Sequence, residues 1–501
     1  MQLRELIASL VDERHLRAVP NVPIREVTAL SKQVRPGSLF IAVRGHVTDG
    51  HRFVEEAITR GASAVVGEFP DEALVEIVHR RFPRVPLVRV PDARRALVEV
   101  GQRFYDYPAA KLQLIGITGT NGKTTTSFLV EHLLRASGAA VGLIGTVAYR
   151  YGERVIPSTN TTPGQLELQA LFAQMLHVRT QWCVMEVSSH ALAQRRIEGL
   201  QFSRAVFTNL GSDHLDYHGS RDAYFEAKCR LFDRVQPGGR AVINVDDGYG
   251  RELVSRLTAR NGTAPRILTY GVQEGAMLRA VAWESSWDGT TCTVDTPRGR
   301  LHLTTRLIGL HNIANILAAI GCVLEEPCDL EAIRVGVESL TGVPGRLECV
   351  PGGQEFRVVV DYAHTEAALE AVLLTVRSLQ PHRVLTVFGC GGNRDRTKRP
   401  AMGRVAGRLS DFVCVTSDNP RNEDPAAIAQ DVAAGVATTR TPCDTVVDRG
   451  EAIAHTLGRA RPGDCVVIAG KGHETYQILK DSTAPFDDRL VAARWLQDHG
   501  K

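Results

Sequence analysis

Residues Gly119-Thr120-Asn121-Gly122-Lys123-Thr124-Thr125 form a glycine-rich turn that ends in a lysine and two hydroxyls. An apolar run, Leu112 to Ile117, leads into it, and a helical pattern, Ser127 to Leu134, leads out. A strand, a tight turn and a helix start leave backbone N–H groups without internal partners, aimed where an anion is stabilised. Gly119 and Gly122 let the backbone wrap a phosphate, Lys123 can reach the outer phosphate oxygens, and Thr124 offers a hydroxyl to Mg²⁺. The spacing departs from the strict P-loop form, because Gly119 lies only three residues before Gly122. Such a turn alone is equally an ordinary helix start; its place after a strand favours a nucleotide.

Three further groups stand out. Glu186-Val187-Ser188-Ser189-His190 closes the apolar run that begins at Trp182. A carboxylate at the C-terminal end of a parallel strand faces the crevice where α/β proteins bind ligands, so Glu186 is a candidate Mg²⁺ ligand. Taken alone it reads as a solvated strand-end charge. Asp213-His214-Leu215-Asp216-Tyr217-His218 crowds polar groups and two imidazoles onto one loop after Thr208-Asn209-Leu210. Zinc would suit imidazoles, but cysteine partners are lacking and a phosphate loop favours magnesium. Lys228, on the helical stretch Tyr224 to Lys228, reads by itself as a solvated lysine.

The elements that must position these groups alternate strand and helix. Up to Tyr107-Pro108 the strand-like runs are Ser38 to Val43, Ala64 to Gly67 and Pro86 to Val90, with helical patterns at Phe53 to Arg60 and Ala93 to Tyr105. Met1 to Arg14 reads as one short amphipathic helix. Beyond the glycine-rich turn, near-continuous apolar runs at Val141 to Ile144, Trp182 to Val187, Ala205 to Thr208 and Ala241 to Val245 suit a buried parallel sheet. Met277 to Ile308 alternates, with Asp288-Gly289 and Arg298-Gly299 turns, and predicts an antiparallel patch. Helical patterns follow at Asn312 to Leu324 and Leu330 to Leu340. Gly342-Val343-Pro344-Gly345 reads as a linker. After it, strands at Phe356 to Val360, Arg383 to Phe388, Phe412 to Thr416 and Cys465 to Ala469 alternate with helices in a second doubly wound unit. The expected fold is α/β in three domains, 1–107, 108–343 and 344–501: an N-terminal α/β domain, a central P-loop ATPase-like parallel sheet with a small antiparallel patch, and a C-terminal Rossmann-like α/β domain.

Bulk properties limit the functions available. A chain of 501 residues with 44% hydrophobic and 23% charged residues is globular, and a net charge of +3 argues against a general nucleic-acid surface. No apolar stretch reaches the roughly 18 residues a membrane span needs, and the N-terminus has no secretory signal pattern. Ten scattered cysteines without a Cys-x-x-Cys pair suit a reduced, cytoplasmic protein without disulfides or zinc.

Together these motifs resemble those of a known family. The turn, Glu186 to His190, the Thr208 to His218 segment with Lys228, Gly309-Leu310-His311-Asn312-Ile313-Ala314-Asn315, Gly345-Arg346 and Asp361-Tyr362-Ala363-His364-Thr365 occur in the order seen in the ATP-dependent Mur ligases of bacterial peptidoglycan assembly. The match covers nearly the full length and is closest to their tripeptide-forming branch. The resemblance implies that Gly119 to Thr125 and Lys123 hold ATP phosphates, with Asn312 and Asn315 on the adenine and Arg346 and Asp361 reaching over from the third domain. It implies that Thr124, Glu186 and His214 position two Mg²⁺ ions, and that Lys228 is carbamylated by CO₂ to serve the same metals. Lys123, Glu186, His214 and Lys228 are then the catalytic set.

The same resemblance makes the first domain a UDP-sugar module. Ser31 and the segment from His46 to Gly50 match its uridine side, and Asn160, Thr161, Thr162, Ser188, Gln194 and Arg196 match groups that hold pyrophosphate and peptide. Where the branch commonly has Asp-Ser-Arg, this chain has Leu30-Ser31-Lys32, which keeps a cation but loses the planar fork. Asp418-Asn419-Pro420-Arg421, with Arg394, Gly470 and Glu474, resembles the signature for meso-diaminopimelate rather than lysine. A guanidinium can grip the distal carboxylate of diaminopimelate in a bidentate way, and lysine has none there. The implied activity is ATP-dependent addition of meso-2,6-diaminopimelate to the D-Glu γ-carboxylate of UDP-MurNAc-L-Ala-D-Glu, by a cytoplasmic monomer with no nucleic-acid or membrane partner. A lysine-adding sister enzyme, a folylpolyglutamate synthetase, a P-loop NTPase without ligase activity and an inactive binding homologue are the alternatives. The first hundred residues count against the folate enzyme, and the C-terminal motifs against a simple NTPase.

Overall fold

The computed structural model describes residues 1–45, 48–211, 213–260, 264–324 and 328–500. Three α/β layers follow one another along the chain. The first holds a parallel sheet of four strands in chain order, Glu26–Thr28, Ser38–Ala42, Ala62–Gly67 and Leu87–Arg89. Alternate residues explain its two covered faces: Leu39, Ile41, Ala64 and Val66 enter one core, while Phe40, Ala42 and Val65 enter the other. Instead of one helix over Met1 to Arg14, the N-terminus forms two short ones, Leu3–Ile7 and Glu13–Ala18. Asp12 caps the second through the His15 N–H, so it is a start signal that interrupts the amphipathic pattern.

The central sheet has eleven strands, and its middle carries the site. Gln113–Thr118, which feeds the glycine-rich turn, lies between Phe202–Phe207 and Trp182–Glu186 and is parallel to both. The sheet then continues on one side through Val141–Ile144 and on the other through Val235–Asn244 and Arg266–Gly271. Ile115, Ile117, Val184, Val206 and Val242 pack beneath the helices Lys123–Ala136 and Leu310–Val323, whereas Leu114, Met185, Ala205 and Phe207 join the opposite core. The expected antiparallel patch is present as Leu278–Ser286, Gly289–Thr296 and Gly299–Thr305. A second antiparallel extension, Ala148–Tyr151 and Arg154–Pro157, closes the other edge. The expected linker at 342–345 is packed, with Val343 buried in the central core.

The third layer is a six-stranded sheet whose neighbours run Glu348–Cys349, Arg357–Asp361, Cys465–Ala469, Val384–Phe388, Phe412–Val415 and Cys443–Thr445. One register line crosses it: Asp361 pairs with Ala469, Ala469 with Phe388, and Phe388 with Val415. Four loops carrying sequence motifs therefore leave the sheet at one level, at the C-terminal strand ends. A small hairpin, Tyr476–Ile478 with Thr483–Pro485, follows. All ten cysteines are free, and among the described residues no helix is long and apolar enough to cross a membrane.

Candidate active site

The glycine-rich turn is held by close backbone packing. Gly122 has φ +84°, and a Cβ there would lie 2.3 Å from Asn315 Oδ1. Thr208 Oγ1 and Asn209 Nδ2 both donate to Asn121 O, at 2.6 and 3.2 Å, so the next strand end fixes the turn. Lys123 Nζ folds back on the turn and donates to Gly119 O at 3.0 Å and Thr120 O at 2.9 Å. Burial lowers its pKa, with Glu186 and Asp213 pulling the other way.

Glu186 is fully buried at the adjacent strand end. It accepts from Thr124 Oγ1 at 3.0 Å, from Thr146 N at 2.9 Å and from Thr146 Oγ1 at 3.0 Å. Arg346 Nη2 reaches across from the third layer to donate to Thr124 Oγ1 at 3.1 Å. Lys228 is also buried, on the helix Arg221–Cys229 that Ser220 caps. Its Nζ donates to Gly119 O at 2.8 Å and lies 4.3 Å from the Tyr224 ring centre. Burial first, and Lys123 second, drive its pKa well below the ordinary lysine value.

His214 has a left-handed backbone, φ +55°, at the start of the short helix Leu215–His218. Its ring meets His190 edge-on at 4.6 Å. Burial pushes His214 and His218 down to about 4, and Asp213 opposes the shift on His214. These imidazoles are neutral near pH 7 and keep a lone pair for a ligand. Despite burial, His214, His364 and Lys398 hold the Asp213 carboxyl below its usual range, so two further third-layer groups act on the central layer at Asp213.

Asn312 and Asn315 are buried and bonded to each other at 3.1 Å, and Thr126 Oγ1 donates to Asn315 Oδ1 at 3.3 Å. Asn312, Arg346 and Trp287 line a cavity of about 700 Å³ between the central and third layers. Asp361 does not point freely into it: its carboxylate accepts from Leu347 N at 2.7 Å and Ala363 N at 2.8 Å, and burial raises its pKa. The oxygen donors of Thr124 and Glu186, flanked by lysine and arginine, suit Mg²⁺ and phosphates. Among the described residues no three His, Cys, Asp or Glu side chains converge as a metal cluster.

A larger cavity, about 800 Å³, separates the first and central layers. Gln194 and Arg196 line it, together with Arg94, Arg95, Arg195 and Arg234, which the sequence motifs did not single out. Arg196 is fixed by two bonds to Gln194 Oε1 and one to Thr162 O at 2.7 Å. Thr162 Oγ1 donates to Glu186 O at 2.9 Å and accepts from Ser188 N at 3.0 Å. Thr161 Oγ1 touches Thr146 Oγ1 at 3.0 Å, and the Asn160 backbone is held by the Tyr149 hydroxyl. The segment from Asn160 to Thr162 thus lies one hydroxyl away from Glu186. Ser31 is elsewhere: it is buried, donates to Glu56 at 3.0 Å and is not among the residues lining this cavity. His46 lies outside the described residues.

At the third-sheet strand ends, Asp418, Asn419 and Arg421 meet Gly470 and Glu474. Gly470 has φ +112°, and a Cβ there would lie 2.7 Å from Asp418 Oδ2. Pro420 O packs more tightly still, 1.9 Å from where a Gly392 Cβ would be. Asn419 Nδ2 and Lys471 Nζ both donate to Glu474 Oε2, at 2.9 Å each. Arg421 is depressed by burial and by the neighbouring Arg394 cation, while Asp418 and Glu474 oppose the shift. Arg394 is exposed and also acts on His190 of the central layer.

Three family models match in sequence order: the Mur ligase family, catalytic domain, over residues 23–105; the Mur ligase middle domain over 117–323; and the Mur ligase, glutamate ligase domain over 345–472. The chain belongs to the Mur ligase family. This Mur ligase is 45% identical, over 98% of its length and 97% of the relative's, to the UDP-N-acetylmuramoyl-L-alanyl-D-glutamate--2,6-diaminopimelate ligase of Gloeobacter violaceus. It is 44% identical to the protein of that name from Solibacter usitatus, with 100% and 99% covered. A solved structure of a ligase of the same name aligns over 100% of this chain and 99% of its own, with TM-score 0.69 and 32% identity.

Thr146 is the residue most clearly missed by sequence reasoning. It follows the strand Val141–Ile144 at its C-terminal end, as Glu186 ends its own strand, and that placement was the available signal. Gly145 beside it leaves room for Glu186, whose Oε1 would lie 2.4 Å from a Cβ. Trp287 and the four additional arginines carried no local motif.

Proposed function

We propose that this chain is the ATP-dependent ligase that joins meso-2,6-diaminopimelate to the D-Glu γ-carboxylate of UDP-MurNAc-L-Ala-D-Glu in peptidoglycan precursor synthesis. The observation that carries this reading is the gathering of two guanidiniums, Arg394 and Arg421, and two carboxylates, Asp418 and Glu474, at one sheet end, close enough to act on one another electrostatically. Such a set suits a distal centre that bears both a carboxylate and an ammonium. Full-length relatives named for the same reaction support it.

The γ-phosphoryl group of ATP passes to the substrate carboxylate, giving an acyl phosphate and ADP. The amine of diaminopimelate attacks that carbonyl, loses a proton, and inorganic phosphate leaves from the tetrahedral intermediate. Positioning and neutralisation of charge supply most of the acceleration. Lys123 and the N–H groups of the turn hold the outer phosphates, Asn312 and Asn315 the adenine end, and Arg346 closes the site from the third layer. Arg196 and Gln194 hold the UDP-sugar peptide in the larger cavity, and Thr161 and Thr162 bring its reactive end beside Glu186. Thr124, Glu186 and His214 would hold Mg²⁺, which would offset the negative charge of the phosphates beside the substrate carboxylate.

Lys228 completes this set as a carbamate. Its depressed pKa favours the neutral amine over the ammonium, and the amine nitrogen can attack CO₂, releasing one proton and leaving an oxygen-donor anion. That anion also replaces the repulsion between Lys228 and Lys123 with attraction.

The test is phosphate release with UDP-MurNAc-L-Ala-D-Glu and ATP, comparing meso-diaminopimelate, lysine and ornithine side by side. Release should depend on diaminopimelate at concentrations where lysine and ornithine give little. Equal turnover with lysine would contradict the assignment of the third-layer pocket.

A further inference from the structure

The loops that carry Arg394 and Arg421 are joined by one carboxylate. Glu423 accepts from the main-chain N–H of Asn393 at 2.5 Å and from the guanidinium of Arg399 at 3.0 Å on each oxygen. Arg399 is buried, and its other arm holds Asp431 at 2.9 Å. The two loops also clasp each other directly. Asn422 N donates to Asn393 Oδ1 at 3.0 Å, Gly392 N to Asn419 O at 2.9 Å, and Arg421 Nη1 to Gly392 O at 2.9 Å. Both Asn393 and Arg421 adopt left-handed backbone, φ +53° and +54°, a conformation that persists only when its surroundings hold it.

Such a staple has a reason. Arg394 and Arg421 are like charges on separate loops, and Arg394 already disfavours the Arg421 cation. Unless the loops are locked, repulsion widens the gap between them. Bidentate recognition of a carboxylate tolerates displacements of only about 0.5 Å, so a widened gap removes selectivity before it removes activity.

We propose that Glu423, locked by Arg399, is a positioning residue that fixes the spacing of Arg394 and Arg421 and so sets the preference for an amino acid with a distal carboxylate. This rests on the reading of the third-layer pocket given above. Glu423 touches no reacting atom. Its carboxyl is held below the ordinary range by the Asn393 N–H first and by Arg399 next, against the effect of burial, so it stays charged near pH 7.

The experiment uses the full chain with Glu423→Ala and measures phosphate release against meso-diaminopimelate, lysine and ATP. The Michaelis constant for diaminopimelate should rise at least tenfold while that for ATP stays within about twofold, and the preference for diaminopimelate over lysine should fall at least tenfold. Glu423→Gln, which keeps an acceptor for Asn393 but loses the charge facing Arg399, should fall between. A merely structural role would lower every parameter together. Should Glu423→Ala fail to fold, Asn393→Gly keeps the left-handed backbone and removes the clasp on Asn422; it should shift the same preference several-fold. An unchanged preference in whichever folded variant is used overturns the proposal. A selective wild type beside an equally selective variant overturns this proposal alone, whereas an unselective wild type overturns the pocket assignment as well.

Discussion

Two lysines, from different elements, donate to the same carbonyl oxygen of Gly119. That shared oxygen offsets part of the cost of burying two ammonium groups, and burial lowers the pKa of both. Replacing Lys228 with alanine should therefore cost most of the turnover while leaving the turn intact. If its working form is a carbamate, acetate or propionate at high concentration should restore part of the phosphate release of Lys228→Ala and none of that of Lys123→Ala. Rescue of neither, with Lys228→Ala folded, would assign Lys228 a plain ammonium role. The sequence alone made Lys228 a surface helix lysine, because helical spacing does not say which face a neighbouring loop covers. Glu186 was legible as a strand-end carboxylate facing the crevice, but alone it read as solvated, whereas the Thr124 and Thr146 hydroxyls close over it and it is fully buried.

Between strand and helix, the turn depends on a glycine whose reason lies almost two hundred residues away. Gly122→Ala would place a methyl 2.3 Å from Asn315 Oδ1 in a left-handed backbone, which costs about 1–2 kcal/mol from the backbone alone. The Michaelis constant for ATP should rise by about tenfold or more, with that for the UDP-dipeptide much less affected; a uniform effect on both would mean that Asn315 does not shape the nucleotide site. At this scale the sequence was most legible where strands are buried on both faces. Val141–Ile144 and Cys465–Ala469 coincide with the apolar runs. Edge pieces such as Arg154–Pro157 and Tyr476–Ile478 are largely exposed or half-buried, so nothing in their composition separates them from loops. The break between the two N-terminal helices was missed because Asp12 works as a cap only through its geometry.

Over the whole molecule, protonation and folding are linked through buried histidines. His214, His218 and His311 sit at about 4 and His473 at about 3, each by burial, against 6.5 for the unconstrained side chain. Between pH 6.5 and 4 the unfolded chain binds protons that the folded one does not, so stability is fully present above 6.5 and declines as pH falls through that window. Glu131 and Asp361, raised by burial, take protons early in the folded state and offset part of the loss. Thermal melts should show a lower midpoint at pH 5 than at pH 7.5; a midpoint that is flat or rises on acidification would contradict the burial of these imidazoles. The three-layer order was legible from the alternation of apolar runs and helices. The approach of the third layer was not, because the Arg346 to Thr124 bond and the pull of Lys398 on Asp213 join distant segments that no local pattern encodes.

The hairpin between Leu278–Ser286 and Gly289–Thr296 belongs to the central sheet, yet Trp287 at its tip packs on the core of the third layer and lines the cavity between the two layers. The chain has four tryptophans, and the others lie elsewhere: Trp182 under Arg204, Trp283 half in solvent, Trp495 stacked on His499. The indole of Trp287 therefore sits in the seam between two layers, and with the other three tryptophans replaced its emission should follow any change in their separation.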